Sequence, residues 1–391
     1  MTDSRIRVLA LVHSIPDTSP GQRYRLEQWA PKLREAGVDV TFAAFENREL
    51  NAVLYQPGRW LQKMRLIGNA FVRRGRLMRT LHDYDAVYVF REASLFGPPV
   101  FERWIRSAGV RIVFDFDDAV FVPYRSPANG LLSLLKMAGK TREICRLASH
   151  VIVGNSYLAS YARQSNPNVT IIPSTIDTAM YRVEPRPNPE IPVIGWTGSY
   201  STLQHLELMA PLLRRLAATE NFRLRVIGAT SFQLEGVDVQ SVTWRSVSEA
   251  EDLRPVSIGV MPLPDNKWTR GKCGMKALQY MGMGIPTVCS PVGVNSEIIR
   301  DGENGFLAAN DNEWIEKLTL LLRSAPLRDR IGMAGRRTVE ERYSAAVQAP
   351  RVCEVFRSVV EDKQAPAPDA KPLQGREAGG PGQELVAGDV R

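Results

Sequence analysis

Cysteine, long apolar runs and, over one stretch, acidic side chains are scarce in this sequence, and each scarcity excludes something. The four cysteines, Cys145, Cys273, Cys289 and Cys353, are scattered without Cys-x-x-Cys spacing. That excludes a disulfide framework or zinc site and leaves reduced thiols, with no metal expected. No apolar run approaches the roughly 20 residues that cross a bilayer. The apolar stretch 8–12 is too short for a signal-peptide core and reads as the first buried strand of a cytoplasmic α/β domain. Without a secretory route, Asn168-Val169-Thr170 carries no glycosylation signal. No Gly-x-Gly-x-x-Gly follows the first strand, which argues against a dinucleotide cofactor. Gly139-Lys140-Thr141 ends like a phosphate-binding P-loop, but Leu134 stands where that loop needs glycine, and no strand leads into it.

Acids are absent between Glu49 and Asp83, where Arg59, Lys63, Arg65, Arg73, Arg74, Arg76 and Arg79 fall. Trp60, Met64, Ile67 and Phe71 recur among them at helical spacing. Such a basic amphipathic helix, near 59–79, suits an anionic membrane surface. The other reading is a surface helix that packs Trp60 and Phe71 into its own domain. The net charge of +8 is also compatible with nucleic acid or a phosphorylated substrate. The basic run is confined to one helix and no recognised module appears, so nucleic acid is not expected as a partner.

A chain of 391 residues exceeds the size at which one core stops growing, so two domains are expected. β-Branched runs alternate with helical patterns, the signature of parallel sheets built from βαβ units. Strands are expected at 7–12, 39–44, 86–90, 111–116, 150–154 and 170–172, with a helix over about 23–36 stopped by Gly37. The Pro-rich stretch 183–192 sustains neither helix nor central strand and marks a domain boundary. The pattern then restarts with a strand at 192–196, a helix at 204–218, and strands near 223–227, 257–261 and 287–289. Helices are expected at 314–324, 327–343 and near 349–360. The Gly/Pro/Ala-rich tail has little to bury and is expected to be disordered.

Phosphate chemistry is suggested at two places. Gly195-Trp196-Thr197-Gly198-Ser199 follows a strand and precedes a helix, where backbone N–H groups, at Gly198 and Ser199 above all, can approach a phosphate. In the run from Trp268 to Val288, Arg270, Lys272 and Lys276 lie just before or within an amphipathic helix, with Gly274 at its start. Cations and a helix N-terminus together neutralise a diphosphate. Lys276 and Gln279 share one helical face, one placed for phosphates and the other for a ribose or base edge. A second small-residue loop, 290–297, contributes Asn295 and Glu297.

The segment from Lys276 to Ile299 resembles the donor-binding region of GT-B glycosyltransferases, especially family 4. Leu278-Gln279-Tyr280-Met281-Gly282-Met283-Gly284-Ile285-Pro286-Thr287-Val288 is similar to that family's Leu-Glu-Ala-Met-Ala-x-Gly-x-Pro-Val-Val. Gly293 to Ile298 and Asp301-Gly302-Glu303-Asn304-Gly305-Phe306-Leu307 match the motifs that follow it, in order and at the right spacing. The resemblance implies a GT-B fold, two Rossmann-like domains facing across a cleft. The divisions are 1–185 on the acceptor side, 186–348 for the nucleotide sugar, a helix at 349–362 returning to the first domain, and the tail 363–391.

The sequence departs from the family where two glutamates, eight positions apart, commonly touch donor sugar and ribose. Gly271 and Gln279 stand there, and the usual Arg/Lys pair after the first strand of the second domain is missing. Arg270, Lys272 or Lys276 is expected to supply the compensating charge. In the first domain, the loop bearing Gly21 and Arg23 resembles the small-residue loop that approaches donor phosphates. Asp115-Phe116-Asp117-Asp118 ends a strand at the sheet's carboxyl edge, where ligands bind. Asp117 and Asp118 are candidates to orient an acceptor hydroxyl or act as base, whereas Asp115 fits a buried local pairing. His13 ends the first strand; His82, His150 and His205 carry no signal.

The resemblance implies transfer of a sugar from a nucleotide-diphosphate sugar to a saccharide or lipid-linked acceptor, with retention, in polysaccharide or glycolipid assembly. No tightly bound cofactor is expected, and the location expected is the cytoplasm or the inner membrane face. The catalytic candidates are Lys276, Arg270, Asp117 and Asp118. A GT-B-like nucleotide-sugar epimerase and a degenerate nucleotide-sugar-binding module are the alternatives.

Overall fold

The computed structural model describes residues 5–54, 56, 58–123, 137, 139–184, 189–199 and 202–362. The tail from 363 and residues 185–188 of the Pro-rich stretch lie outside them.

Two six-stranded parallel sheets form the frame. The first contains β1 Ile6–Val12, β2 Val38–Ala44, β3 Ala86–Phe90, β4 Arg111–Phe116, β5 His150–Val153 and β6 Val169–Ile171, in the order β2-β1-β3-β4-β5-β6. The second contains β7 Val193–Thr197, β8 Arg223–Ile227, β9 Asp238–Val242, β10 Ile258–Met261, β11 Thr287–Cys289 and β12 Phe306–Leu307, in the order β12-β11-β10-β7-β8-β9. Every residue of β3 and β7 is buried, as helices on both faces of a parallel sheet require. Chain order reverses between β1 and β3 and again between β7 and β10, so each sheet has a topological switch point, where open α/β sheets bind ligands.

The helix expected at 23–36 is interrupted. A π-helical turn, Arg23–Glu27, with Arg25 outside helical geometry, leads into Gln28–Glu35. The helix expected over 204–218 is two, Leu203–Glu207 and Ala210–Ala217, because Pro211, which has no N–H to donate, sits in the first turn of the second. The last helix, Ala345–Glu361, returns to the first sheet and packs Val352, Cys353, Phe356 and Val359 against Val8, Leu33 and Tyr88.

The basic segment forms a helix, Trp60–Leu77. Ile67 and Ala70 are buried, and Phe71 meets Phe45 edge-on at 5.3 Å. Trp60, Leu61 and Met64 are instead 51%, 88% and 60% exposed. The packing reading therefore applies to Phe71 and not to Trp60.

Candidate functional site

The second sheet delivers two loops to its switch point. Gly198 and Ser199 leave β7, and the chain after β10 runs through a short 3-10 turn, Thr269–Gly271, into the helix Met275–Gly282. Gly274 caps that helix in the left-handed region, φ +70°, and a Cβ there would stand 2.4 Å from Ile298. Small size and backbone freedom are both needed at this corner. Lys276 sits in the helix's first turn with its ammonium 5.5 Å from the centre of the Trp196 ring. It forms no ion pair among the described residues. Burial, and then the charge of Lys272, push the Lys276 ammonium down to about 8. Asn295, fully buried, donates to Ser290 O at 3.0 Å, while its Oδ1 has no partner among the described residues.

At the edge of the first sheet, Asp115 is fully buried and paired with Arg25, Nη2 to Oδ1 2.5 Å, with Tyr88 donating to the same carboxylate. It belongs to the core. Asp117 accepts from Arg91 Nε at 2.8 Å; burial opposes its charge, but Arg91 and Arg25 hold its carboxyl below the usual range. A Cβ on Gly21 would lie 2.9 Å from the Arg91 guanidinium and 3.1 Å from Asp117, so a larger residue there would push that pair aside.

The two edges meet. Lys272 Nζ donates to Asp118 Oδ2 at 2.9 Å and lies 3.5 Å from the centre of the Trp268 ring. The Cys273 thiol reaches Asp117 O at 3.0 Å, and Asn155 Nδ2 donates to Gly271 O and Lys272 O at 3.2 and 3.0 Å. Ser156 Oγ donates to Glu297 at 2.6 Å. Lys272, Asp117, Asp118 and Gly21 are therefore gathered at one place, with Lys276 behind Lys272.

Three expected site residues are engaged otherwise. Arg270 is half-exposed and forks onto Asp265, at 2.6 and 2.8 Å, so its charge is already answered. Gln279, placed by the sequence against a ribose, is buried, and its amide donates to Tyr24 Oη at 2.6 Å and Glu249 Oε1 at 2.8 Å. Arg23 likewise binds Glu249, Nη1 to Oε2 2.8 Å. Glu249 also takes hydrogen bonds from Tyr24, Tyr181 and the Trp244 indole. One buried carboxylate thus collects five donors from both halves of the chain, and Arg23 and Gln279 serve that knot.

Residues 191–324 match the family described as Glycosyl transferases group 1. The match covers the second sheet, and the two sheets together have the GT-B fold. An 81-residue segment is 33% identical to spore coat protein SA of Bacillus subtilis (strain 168), covering 20% of this chain and 22% of that protein. The match thus spans about a fifth of that relative's length. The structure of sucrose-phosphate synthase from Thermosynechococcus elongatus superposes over 91% of this chain and 99% of that one, with a TM-score of 0.67 at 14% identity. Anabaena HepE in complex with UDP-glucose superposes over 90% and 100%, with a TM-score of 0.64 at 15% identity. The glycosyl transferase domain contains β7 to β12, Lys272, Lys276 and Gln279.

Sequence reasoning missed Glu249, Arg91 and Trp268. Glu249 lies in an ordinary-looking acidic helix start, Arg91 follows a strand without a motif, and Trp268 was read only as part of the loop. Their roles come from partners distant in the chain.

Proposed function

We propose that the chain is a glycosyltransferase that moves a sugar from a nucleotide-diphosphate sugar to an acceptor hydroxyl, with its active site between the two sheets. Lys276 carries this reading: an ammonium without an ion-pair partner among the described residues, in the first turn of a helix, at a switch point, within the field of a second lysine. Such a place favours a diphosphate, through the helix dipole and charge-assisted hydrogen bonds together. Lys272 joins Lys276 once Asp118 releases it, and Gly274, which opens the helix between them, adds its backbone to the cradle; the Gly198 N–H is instead given to Ile227 O at 3.0 Å. Asp117 and Asp118 then face the acceptor, residues 1–185 forming its domain and residues 186–348 that of the donor. The anomeric configuration is retained, and stabilising charge on the departing diphosphate does most of the catalytic work. The GT-B likeness and the UDP-glucose complex of HepE support the donor class.

The exposed Trp60, Leu61 and Met64, with the exposed Arg59 and Arg65 beside them in the chain, support contact with an anionic membrane surface, as expected of an enzyme of glycolipid or polysaccharide assembly. Among the described residues no helix is long and apolar enough to cross a membrane. A catalytically silent nucleotide-sugar-binding module is the second reading, favoured by Gly271 where a carboxylate would touch the sugar. Thermal-shift screening across UDP-, GDP-, ADP- and dTDP-sugars, followed by prolonged incubation of the stabilising donor, tests the proposal. A donor that raises the melting temperature and is slowly hydrolysed or transferred supports an enzyme. Stabilisation without any turnover supports the silent module, and no stabilisation by any donor sinks both.

A further inference from the structure

His205 is 5% exposed, and among the described residues neither of its ring nitrogens has a hydrogen-bond partner. It lies in the short helix Leu203–Glu207 that follows the Gly198-Ser199 loop. Its ring lines a cleft of about 490 Å³ whose other walls include Pro264, Asn266 and Trp268. The Trp268 indole tilts over it, ring centroids 6.1 Å apart, and the same indole carries the Lys272 ammonium on its face. Burial, and then the charges of Lys276 and Lys272, push the imidazole down to about 4. At neutral pH it is therefore uncharged, with one N–H to donate and one nitrogen to accept.

A buried imidazole with both polar atoms unanswered is costly, and natural interiors rarely tolerate it without a reason. A packing role would be better met by leucine or phenylalanine. A charged side chain in this place would add a third cation to Lys272 and Lys276, whereas neutral histidine offers a donor to an anion without that repulsion.

We infer that His205 is a donor-binding residue that gives its N–H to the distal phosphate of a nucleoside diphosphate held by Lys272 and Lys276, and accepts a hydroxyl of the attached sugar on its other nitrogen. This deepens the proposed function and rests on it. Both ring nitrogens are sealed from water here, so the ligand's entry moves the Trp268 indole aside. The histidine's unmet hydrogen bonds are then satisfied only in the complex, which turns an internal cost into selectivity for the diphosphate over the monophosphate.

The test compares UDP and UMP binding by titration calorimetry for the full chain, His205→Ala and His205→Gln, with GDP and ADP pairs run alongside. His205→Ala is expected to weaken UDP at least about tenfold, the usual worth of a hydrogen bond to a charged group. UMP should change less than about threefold on the same scale. The melting temperature of the unliganded variant should hold or rise, since removing an unsatisfied polar group relieves the fold. His205→Gln, which keeps a donor, should recover part of the loss. Nitrogen-15 spectra should show the His205 ring signals moving as UDP is added to the wild-type chain. Equal UDP affinity in His205→Ala, or equal losses of UDP and UMP, overturns the inference while leaving the proposed function standing. A fall in unliganded stability with unchanged binding makes the residue structural and also overturns it. If none of the three nucleoside diphosphates binds the wild-type chain, the functional reading fails and this inference fails with it.

Discussion

Gly271 rests on Ala119 across the cleft: a Cβ at 271 would stand 2.6 Å from the Cβ of Ala119 and 2.8 Å from its backbone nitrogen. The residue that replaces the family's acid is therefore the contact through which the second sheet's loop closes on the first sheet's edge. Gly271→Glu is expected to lose about 1–3 kcal/mol of stability by overpacking and to break the Lys272–Asp118 ion pair beside it, without gaining activity. Denaturant titration and donor hydrolysis, measured together, check this. A stable Glu variant with raised turnover would show that the position is an empty sugar subsite instead.

Lys276→Ala should lower turnover by about 10²–10³-fold, the scale seen when a charge-stabilising donor is removed. Stability should not fall, because a half-buried lysine pushed down to about 8 is a cost to the fold. The sign follows from linkage. The folded pKa lies below the unfolded value of about 10.4, so the unliganded chain gains stability as pH rises from about 8 towards that value.

Donor binding runs the other way with pH. A diphosphate selects charged Lys276, so affinity should be flat below pH about 8 and then fall by roughly tenfold per unit. Lys276→Arg should remove that fall. Calorimetric titrations from pH 6.5 to about 9.5 read both, with the range chosen to bracket the lysine.

Asp115→Asn tests the distinction drawn between three neighbouring carboxylates. Arg25 would remain fully buried without its counter-charge, a loss of about 3–5 kcal/mol. The outcome to look for is a large drop in the urea midpoint with unchanged donor affinity in the folded fraction. Asp118→Asn should do the reverse, because Asp118 is half-buried and its partner Lys272 can turn to a ligand.

Replacing Trp60, Leu61 and Met64 with serine should abolish co-sedimentation with vesicles rich in phosphatidylglycerol. Melting temperature should scarcely move, since all three side chains are more than half exposed. Wild-type binding should weaken in high salt and be absent on phosphatidylcholine alone. Retained binding by the triple variant would place the contact elsewhere.

The frame was legible wherever burial dictates sequence. β3 runs over the expected residues because a central parallel strand reads as a continuous apolar run, and β4, β8 and β11 do so because β-branched and other apolar residues dominate them. β9 was not expected: Asp238-Val239-Gln240-Ser241-Val242 is an edge strand, largely polar and unburied, so it lacks that signature. β12 is two residues long and offers no period to read. The site was legible in part. Glycines and cations mark a candidate phosphate loop locally, which is why Lys272, Lys276 and Gly274 are proposed from the sequence. The engagement of Gln279 and Arg23 by Glu249 was not legible, because that partner comes from a distant part of the chain. His205 had no local signal, since its evidence is the absence of partners, which exists only after folding.

Glu249 has one further consequence. Its hydrogen bonds to Arg23, Tyr24, Tyr181, Trp244 and Gln279 draw on segments spread from near the N-terminus to the helix Met275–Gly282. The two halves are therefore not interchangeable parts. A chimera that joined this first half to a relative's second half would leave an arginine and two tyrosines facing the wrong surface, or a carboxylate with no donors. Recombination, natural or engineered, has to carry both sides of that knot together, and the chain should melt in one transition instead of two.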